Sequence, residues 1–256
     1  MLDELKRLEK YSIIKWFYGL LRIIKHKTYK TVNKMECVVR AFCESRNKNN
    51  AVESDYNIDE NIKLYYWKYS DTSDNLGDYL SKIVVSFCSG VHEGKSSVSR
   101  TIYAIGSILG FRCQDAVVWG SGLLAENEIY LQKIRFSSLD IRAVRGPKTR
   151  ELLMKLGKCC PEIYGDPAIL MPRFFRPEKV EKRYEISLIL HHSDNTTVTG
   201  NENINVIDII TRDYENVIIQ ILQSSLVISS SLHGIILAEA YGVPAILLQN
   251  GSTQVP

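Results

Sequence analysis

Residues Leu226 to Leu248 read LVISSSLHGIILAEAYGVPAILL. A short apolar run, Leu226 to Ile228, enters a turn of Ser229, Ser230 and Ser231. A helix is expected from Leu232 to about Tyr241, where Gly242 stops it, and Val243 to Leu248 form a second buried strand. A strand, a Ser-rich turn and a helix in this order leave the first backbone N–H groups of the helix without intrahelical partners. They point at whatever occupies the space above the turn, which makes Ser229, Ser230 and Ser231 an anion-binding corner. His233 lies in the first turn of that helix, within reach of the corner.

Upstream the same logic repeats. Strand Ile186 to Leu190 ends in His191-His192-Ser193-Asp194, and strand Ile204 to Ile207 is followed by a helix from about Asp213 to Gln223. Adjacent residues of a strand face opposite sides, so at most one of His191 and His192 is expected to reach the ligand. Further upstream, strand Ile62 to Trp67 leads to a turn at Asp74, Asn75 and Gly77 and a helix from about Asp78. Thr101 to Ile105 runs into Gly106-Ser107, and Ala116 to Trp119 into Gly120-Ser121-Gly122. Glycine and serine at successive strand ends mark carboxyl-edge loops that approach a ligand closely.

Ile141 to Val144 gives another strand, followed by Arg145-Gly146 and a helix that starts at Pro147 and ends at Gly157. Arg145 and Lys148 therefore stand at a helix N-terminus, where the helix dipole disfavours cations. Their placement fits an anion bound there, which a guanidinium clamps bidentately. Asp166, in a turn fixed by Pro167, either caps a backbone N–H or takes a hydroxyl proton. The charged segment Met171 to Glu185, with Pro172 and Pro177, reads as an interdomain connection. Glu239, six residues beyond His233, is a further binding candidate.

The rest of the chain sets the context. Of 256 residues 45% are hydrophobic and 24% charged, the balance of a globular protein, and a net charge of +3 is too mild for a nucleic-acid binder. Six cysteines, with no CxxC pair and no zinc spacing, read as reduced thiols of a cytosolic protein, without a metal site. Ile13, Ile14, Phe17, Leu20, Leu21 and Ile24 share one helical face, and no acid occurs from Lys10 to Met35. Too charged to span a bilayer, this helix either lies on an anionic membrane surface through residues 10–34 or packs on the body. Glu44 to Asn61 reads as a linker. The expected division is a helical extension and linker (1–60), an N-terminal Rossmann-like domain (61–175) and a C-terminal one (176–256), the last incomplete at its C-terminus.

In chain order the motifs NLGDYL, AIGSIL, VVWGSG, VRGPKTRELL, YGDPAILMP and SSLHGIILAEAYGVPAI resemble those of polysaccharide pyruvyltransferases. The resemblance spans roughly Ile62 to Gln249 and is closest to the branch that forms pyruvate ketals on bacterial exopolysaccharides. It implies an α/β fold of two Rossmann-like domains facing a cleft (the GT-B arrangement), with phosphoenolpyruvate as donor substrate and no cofactor. It also implies a saccharide acceptor, lipid-linked in some pathways, and a cytoplasmic site of action that extends to the inner face of the plasma membrane. One departure is Ser231, where many members carry a basic residue two places before the histidine, so donor binding leans on Arg145, Lys148 or another cation.

Phosphoenolpyruvate joins a phosphate and a carboxylate to a small carbon frame, so its site must hold two anions and deliver a proton to the methylene carbon. His233 is the expected donor of that proton. Ser229, Ser230 and the neighbouring N–H groups would hold one anion and Arg145 the other. A GT-B glycosyltransferase using a nucleotide sugar would share this fold and anion corner, and a non-catalytic saccharide-binding relic would share the fold.

Overall fold

The computed structural model describes residues 63–68, 73–89, 101–111, 115–124, 126–194 and 198–248. The helix expected over residues 10–34, the linker expected over Glu44 to Asn61, Cys37, Cys43 and Cys113 lie outside the described residues.

The elements are β1 (Lys63–Tyr65), α1 (Leu76–Ser89), β2 (Thr101–Tyr103), β3 (Asp115–Trp119), α2 (Glu128–Phe136), β4 (Ser138–Ala143) and α3 (Pro147–Lys155). A 3-10 turn (Pro167–Leu170) runs into α4 (Met171–Phe174). Then come β5 (Tyr184–Ile189), β6 (Ile204–Val206), α5 (Tyr214–Leu222), β7 (Ser224–Ser229), α6 (Leu232–Ala240) and β8 (Ala245–Leu247). Two four-stranded sheets result, both parallel, in the orders β1-β2-β3-β4 and β6-β5-β7-β8. In the second sheet the winding reverses between β5 and β7. Loops leave a reversal point in opposite directions and open a crevice at the carboxyl ends of the two strands.

Strand periodicity explains the burial. Ile102, Val117 and Trp119 face one side of the first sheet, while Tyr103, Ala116 and Val118 face the other, and each set joins a separate buried cluster. The first cluster does not stop at the end of the first half. It continues through Leu76, Leu80 and Val84 of α1, through Ala168, Leu170 and Met171, and on to Ile189, Val217, Ile221, Val227 and Leu237. Polar contacts follow the same seam: Leu76 N–H donates to Ile209 O (2.8 Å), and Arg212 pairs with the fully buried Asp74 at 2.7 Å.

One sequence expectation changes. Met171 to Glu185 is not all connection: Met171 is fully buried, α4 packs between α1 and α6, and β5 already begins at Tyr184. Pro172 fits here because it occupies the first turn of a helix, where no N–H is needed. Helix α2 carries no sequence signal of comparable strength. Of its nine residues Ile134 is buried, while Ile129 and Phe136 are exposed, so no apolar stripe announces it. No helix among the described residues is long and apolar enough to cross a membrane.

Candidate active site

The carboxyl edges of both sheets border one cleft of about 610 Å³. Each strand end of the first sheet sends residues into it: Trp67, Asn75 and Asp78 after β1, Ser107 and Phe111 after β2, Tyr130 after β3, and Arg145 after β4. The second sheet contributes His191, His192 and Ser193 after β5, and Ser230, Ser231 and His233 after β7.

His233 is fixed from two sides. Its Nε2 faces Asp166 Oδ2 at 3.4 Å, and both atoms are buried without another polar partner among the described residues. Asp166 divides its carboxylate: Oδ1 accepts the Ala168 N–H (3.0 Å) and caps the 3-10 turn, while Oδ2 is turned to the imidazole. Of the two sequence alternatives for Asp166, the cap is present, and the second carboxylate oxygen faces His233. From below, the ring lies on Gly77, where a Cβ would stand 1.8 Å from Nδ1. Glycine is required there by the histidine and not by backbone conformation. Asn75 holds the same corner, its Oδ1 accepting the Gly77 N–H (3.0 Å) and its amide lying 3.3 Å from His192 Nδ1.

Arg145 forms another wall. Its Nη2 donates to Ser107 Oγ (2.8 Å), and its guanidinium lies flat over Gly122, where a Cβ would come within 2.6 Å of Nη2. The Gly-Ser loops are tied beneath it, with Gly122 N–H and Ser121 Oγ both donating to Gly106 O (3.0 and 2.9 Å). Burial pushes the Arg145 pKa down, opposed by Asp166 and Asp78. Asp78, half-buried in the cleft wall, presses against Gly106, whose φ of +106° places its Cα where a Cβ would meet Asp78 Oδ1. Burial pushes the Asp78 carboxyl up to about 6; His233 and Arg145 pull it down, and Asp166 and Asp74 add to the rise.

Other predicted residues serve the framework. Ser229 is fully buried, its hydroxyl accepting the Ser231 N–H while its one proton is shared between Ile189 O and Ser231 O. Ser121 spends its hydroxyl on Gly106. Gly120 packs against Pro167, where its φ of +96° and the lack of a Cβ are both needed. Lys148 is exposed and lies outside the cleft lining; Glu239 is half-buried, also outside it, and its carboxyl is pushed up by burial. Ser230 lines the cleft, accepting the His191 N–H (2.9 Å) and donating to Asp194 Oδ2. Ser231 also lines it and precedes α6 without a side-chain cap, so the first N–H groups of α6 have no help from its hydroxyl.

The expectation that at most one of His191 and His192 reaches the cleft is corrected: both do, with ring centroids 4.2 Å apart. β5 ends at Ile189, so neither residue belongs to the strand whose alternation would have separated them. Burial pushes both pKa values below the ordinary imidazole range, with Asp194 opposing. The aromatic residues Trp67, Phe111 and Tyr130 of the lining were not singled out as site residues by sequence reasoning. Trp67 was visible as the end of a predicted strand; Phe111 and Tyr130 had no comparable signal.

Among the described residues no group of three or more His, Cys, Asp or Glu side chains is set to hold a metal ion. Cys159 and Cys160 are free thiols.

Two parallel sheets sharing one cleft at their carboxyl edges, with a buried His–Asp pair and an arginine in its walls, define an α/β protein with a cleft site. The chain belongs to the polysaccharide pyruvyl transferase family, whose model matches residues 36–252. It is 31% identical over 159 residues to an uncharacterized protein of Acanthamoeba polyphaga mimivirus, which is 59% of this chain and 54% of that protein. The chain thus spans about half the length of that relative. No solved structure matches the chain.

Proposed function

We propose that the protein transfers the pyruvyl carbons of phosphoenolpyruvate to two hydroxyls of a sugar, forming a ketal on a surface polysaccharide or its lipid-linked precursor. On this reading the two sheets are the cores of two Rossmann-like domains in a GT-B-like arrangement. The enzyme works in the cytoplasm, peripherally at the membrane when the acceptor is lipid-linked. The observation that carries the proposal is the grouping of His233, backed by Asp166, with Arg145 and Asp78 in one cleft.

The chemistry requires a proton at the methylene carbon of the donor, which leaves an oxocarbenium-like centre next to it. His233 delivers that proton, and Asp166 orients the ring and supplies the counter-charge to the imidazolium. A sugar hydroxyl attacks the cationic carbon and gives up its proton. The bond from that carbon to the phosphate oxygen then breaks, and attack by the second hydroxyl closes the ketal. Of the two hydroxyl protons, one restores His233 and the other leaves on the phosphate. Asp78, with its carboxyl near 6, is largely ionised at pH 7 and basic enough to take a hydroxyl proton. Arg145, held flat by Gly122 and Ser107, presents its remaining donors to the donor's carboxylate or phosphate.

The test is release of inorganic phosphate from phosphoenolpyruvate on adding saccharide acceptors, followed alongside nucleotide release from nucleotide sugars. Acceptor-dependent phosphate release should fall about 10²–10⁴-fold in His233→Ala, the scale of a lost general acid, with the fold retained. Nucleotide release without phosphate release would refute the proposal in favour of glycosyl transfer.

A further inference from the structure

The cleft holds more aromatic surface than a small dianion needs. Four rings line it as two stacked pairs: Trp67 on His192 (centroids 6.0 Å, interplanar 30°) and Phe111 on Tyr130 (5.0 Å, 25°). They come from four different chain segments, after β1, β5, β2 and β3, so tertiary structure alone assembles them. Phosphoenolpyruvate has no apolar face to place on a ring, and it fills only part of a 610 Å³ cleft.

We infer that Trp67 and Tyr130, stacked with His192 and Phe111 respectively, form a platform that seats a pyranose ring of the acceptor. Its role as an acceptor site rests on the pyruvyl-transfer reading, although its chemistry does not. A pyranose has one face of axial C–H bonds, which packs on an aromatic π face, and a rim of hydroxyls that need hydrogen-bond partners. Asn75, His192 and Ser193 line the same cleft and supply polar atoms for the rim. The rings are also held before any ligand arrives. Trp67 and Phe111 pack against the core of the first sheet. Gly110, at φ +94°, lets its turn close on Tyr130, where a Cβ would stand 2.6 Å from the tyrosine Cβ. Aromatic faces held in place discriminate a ring from an acyclic polyol with the same hydroxyls, because the polyol has no rigid apolar face to stack.

The experiment is saturation-transfer NMR on the full chain with methyl β-galactopyranoside and methyl β-glucopyranoside, with galactitol as the acyclic control. Phosphoenolpyruvate affinity is titrated in parallel. Saturation should reach the axial ring protons of a pyranoside and not galactitol, and each of Trp67→Ala and Tyr130→Ala should weaken pyranoside binding about three- to tenfold. Phosphoenolpyruvate affinity should stay unchanged, and Trp67→Phe should restore most of the binding. Where Trp67→Ala fails to fold, Tyr130→Ala carries the test. Pyranoside binding unchanged in a folded Tyr130→Ala, equal transfer to galactitol, or no binding of either pyranoside overturns the platform. Aromatic-dependent pyranoside binding in a protein that neither binds nor cleaves phosphoenolpyruvate would keep the platform and overturn the donor instead.

Discussion

Asp78→Asn should make the protein more stable and less active, and both effects depend on pH. In the folded protein the Asp78 carboxyl titrates near 6 instead of the ordinary 3.8, mainly because its surroundings desolvate it. The folded state therefore holds this proton more tightly than the unfolded chain does. The stability that comes with it is fully present below about pH 4 and is lost as pH rises through 6. At pH 8 the ionised carboxylate sits in the fold at a cost of roughly 3 kcal/mol, taking the interval from 3.8 to about 6 at ~1.36 kcal/mol per pH unit. Asparagine has the same shape and never ionises, so the variant should gain up to about 3 kcal/mol at pH 8 and nothing near pH 4. Urea unfolding of both proteins at pH 4, 6 and 8 measures this directly, provided the slopes of the two transitions agree. A gain that is absent at pH 8, or equally large at pH 4, would refute the reasoning. Phosphate release should fall in the same variant, since the base has been removed, which is the usual trade of stability against function at a site.

The remaining variants probe the His233 corner and the arginine. Gly77→Ala gains about 1 kcal/mol of helix propensity, yet its Cβ would stand 1.8 Å from Nδ1 of the largely buried His233 ring, so stability should fall despite that gain. The displaced ring should also lower kcat at least about tenfold; a normal kcat in the folded variant would show the ring free to move without consequence. Asp166→Asn can still accept the Ala168 N–H through its amide oxygen, yet it turns an NH₂ or nothing toward His233. Thermal stability should therefore stay near the parent while kcat falls on the order of 10²–10⁴-fold; parallel losses of both would reduce Asp166 to a cap. Arg145→Lys keeps a charge and loses the planar fork that lies over Gly122 and donates to Ser107. The KM for phosphoenolpyruvate should rise about tenfold or more with loss of one charge-assisted hydrogen bond, and an unchanged KM would place the donor elsewhere.

Much of the architecture was legible in the chain alone. Buried parallel strands are short continuous apolar runs, and Gly, Ser and Pro punctuate them, so each strand could be placed to within a few residues. His233 was readable for the same local reason: a strand, a turn and a helix N-terminus follow one another within eight residues, Ile228 to Ile235. The sequence also showed that Arg145 stands at a helix start where a cation has no structural reason to be. Helix α2 escaped because burial of Ile134 with exposure of Ile129 and Phe136 leaves no periodic stripe.

What the tertiary structure alone decided is how residues far apart in the chain share charge and space. Asp166 meets His233 across 67 positions, and Gly77 lies under the same ring from 156 positions away. No propensity or spacing rule reports such a contact, because it depends on how two sheets and α1 pack around one core. The same packing sets the Asp78 proton affinity, since desolvation is a property of surroundings and not of a residue type. It also sorts the serines: Ser229 and Ser121 spend their hydroxyls on backbone carbonyls, while Ser230 and Ser231 border the cleft. The sequence by itself determined which residue types stand at the strand ends. Which of those residues face one another, and with what charge, only the fold could decide.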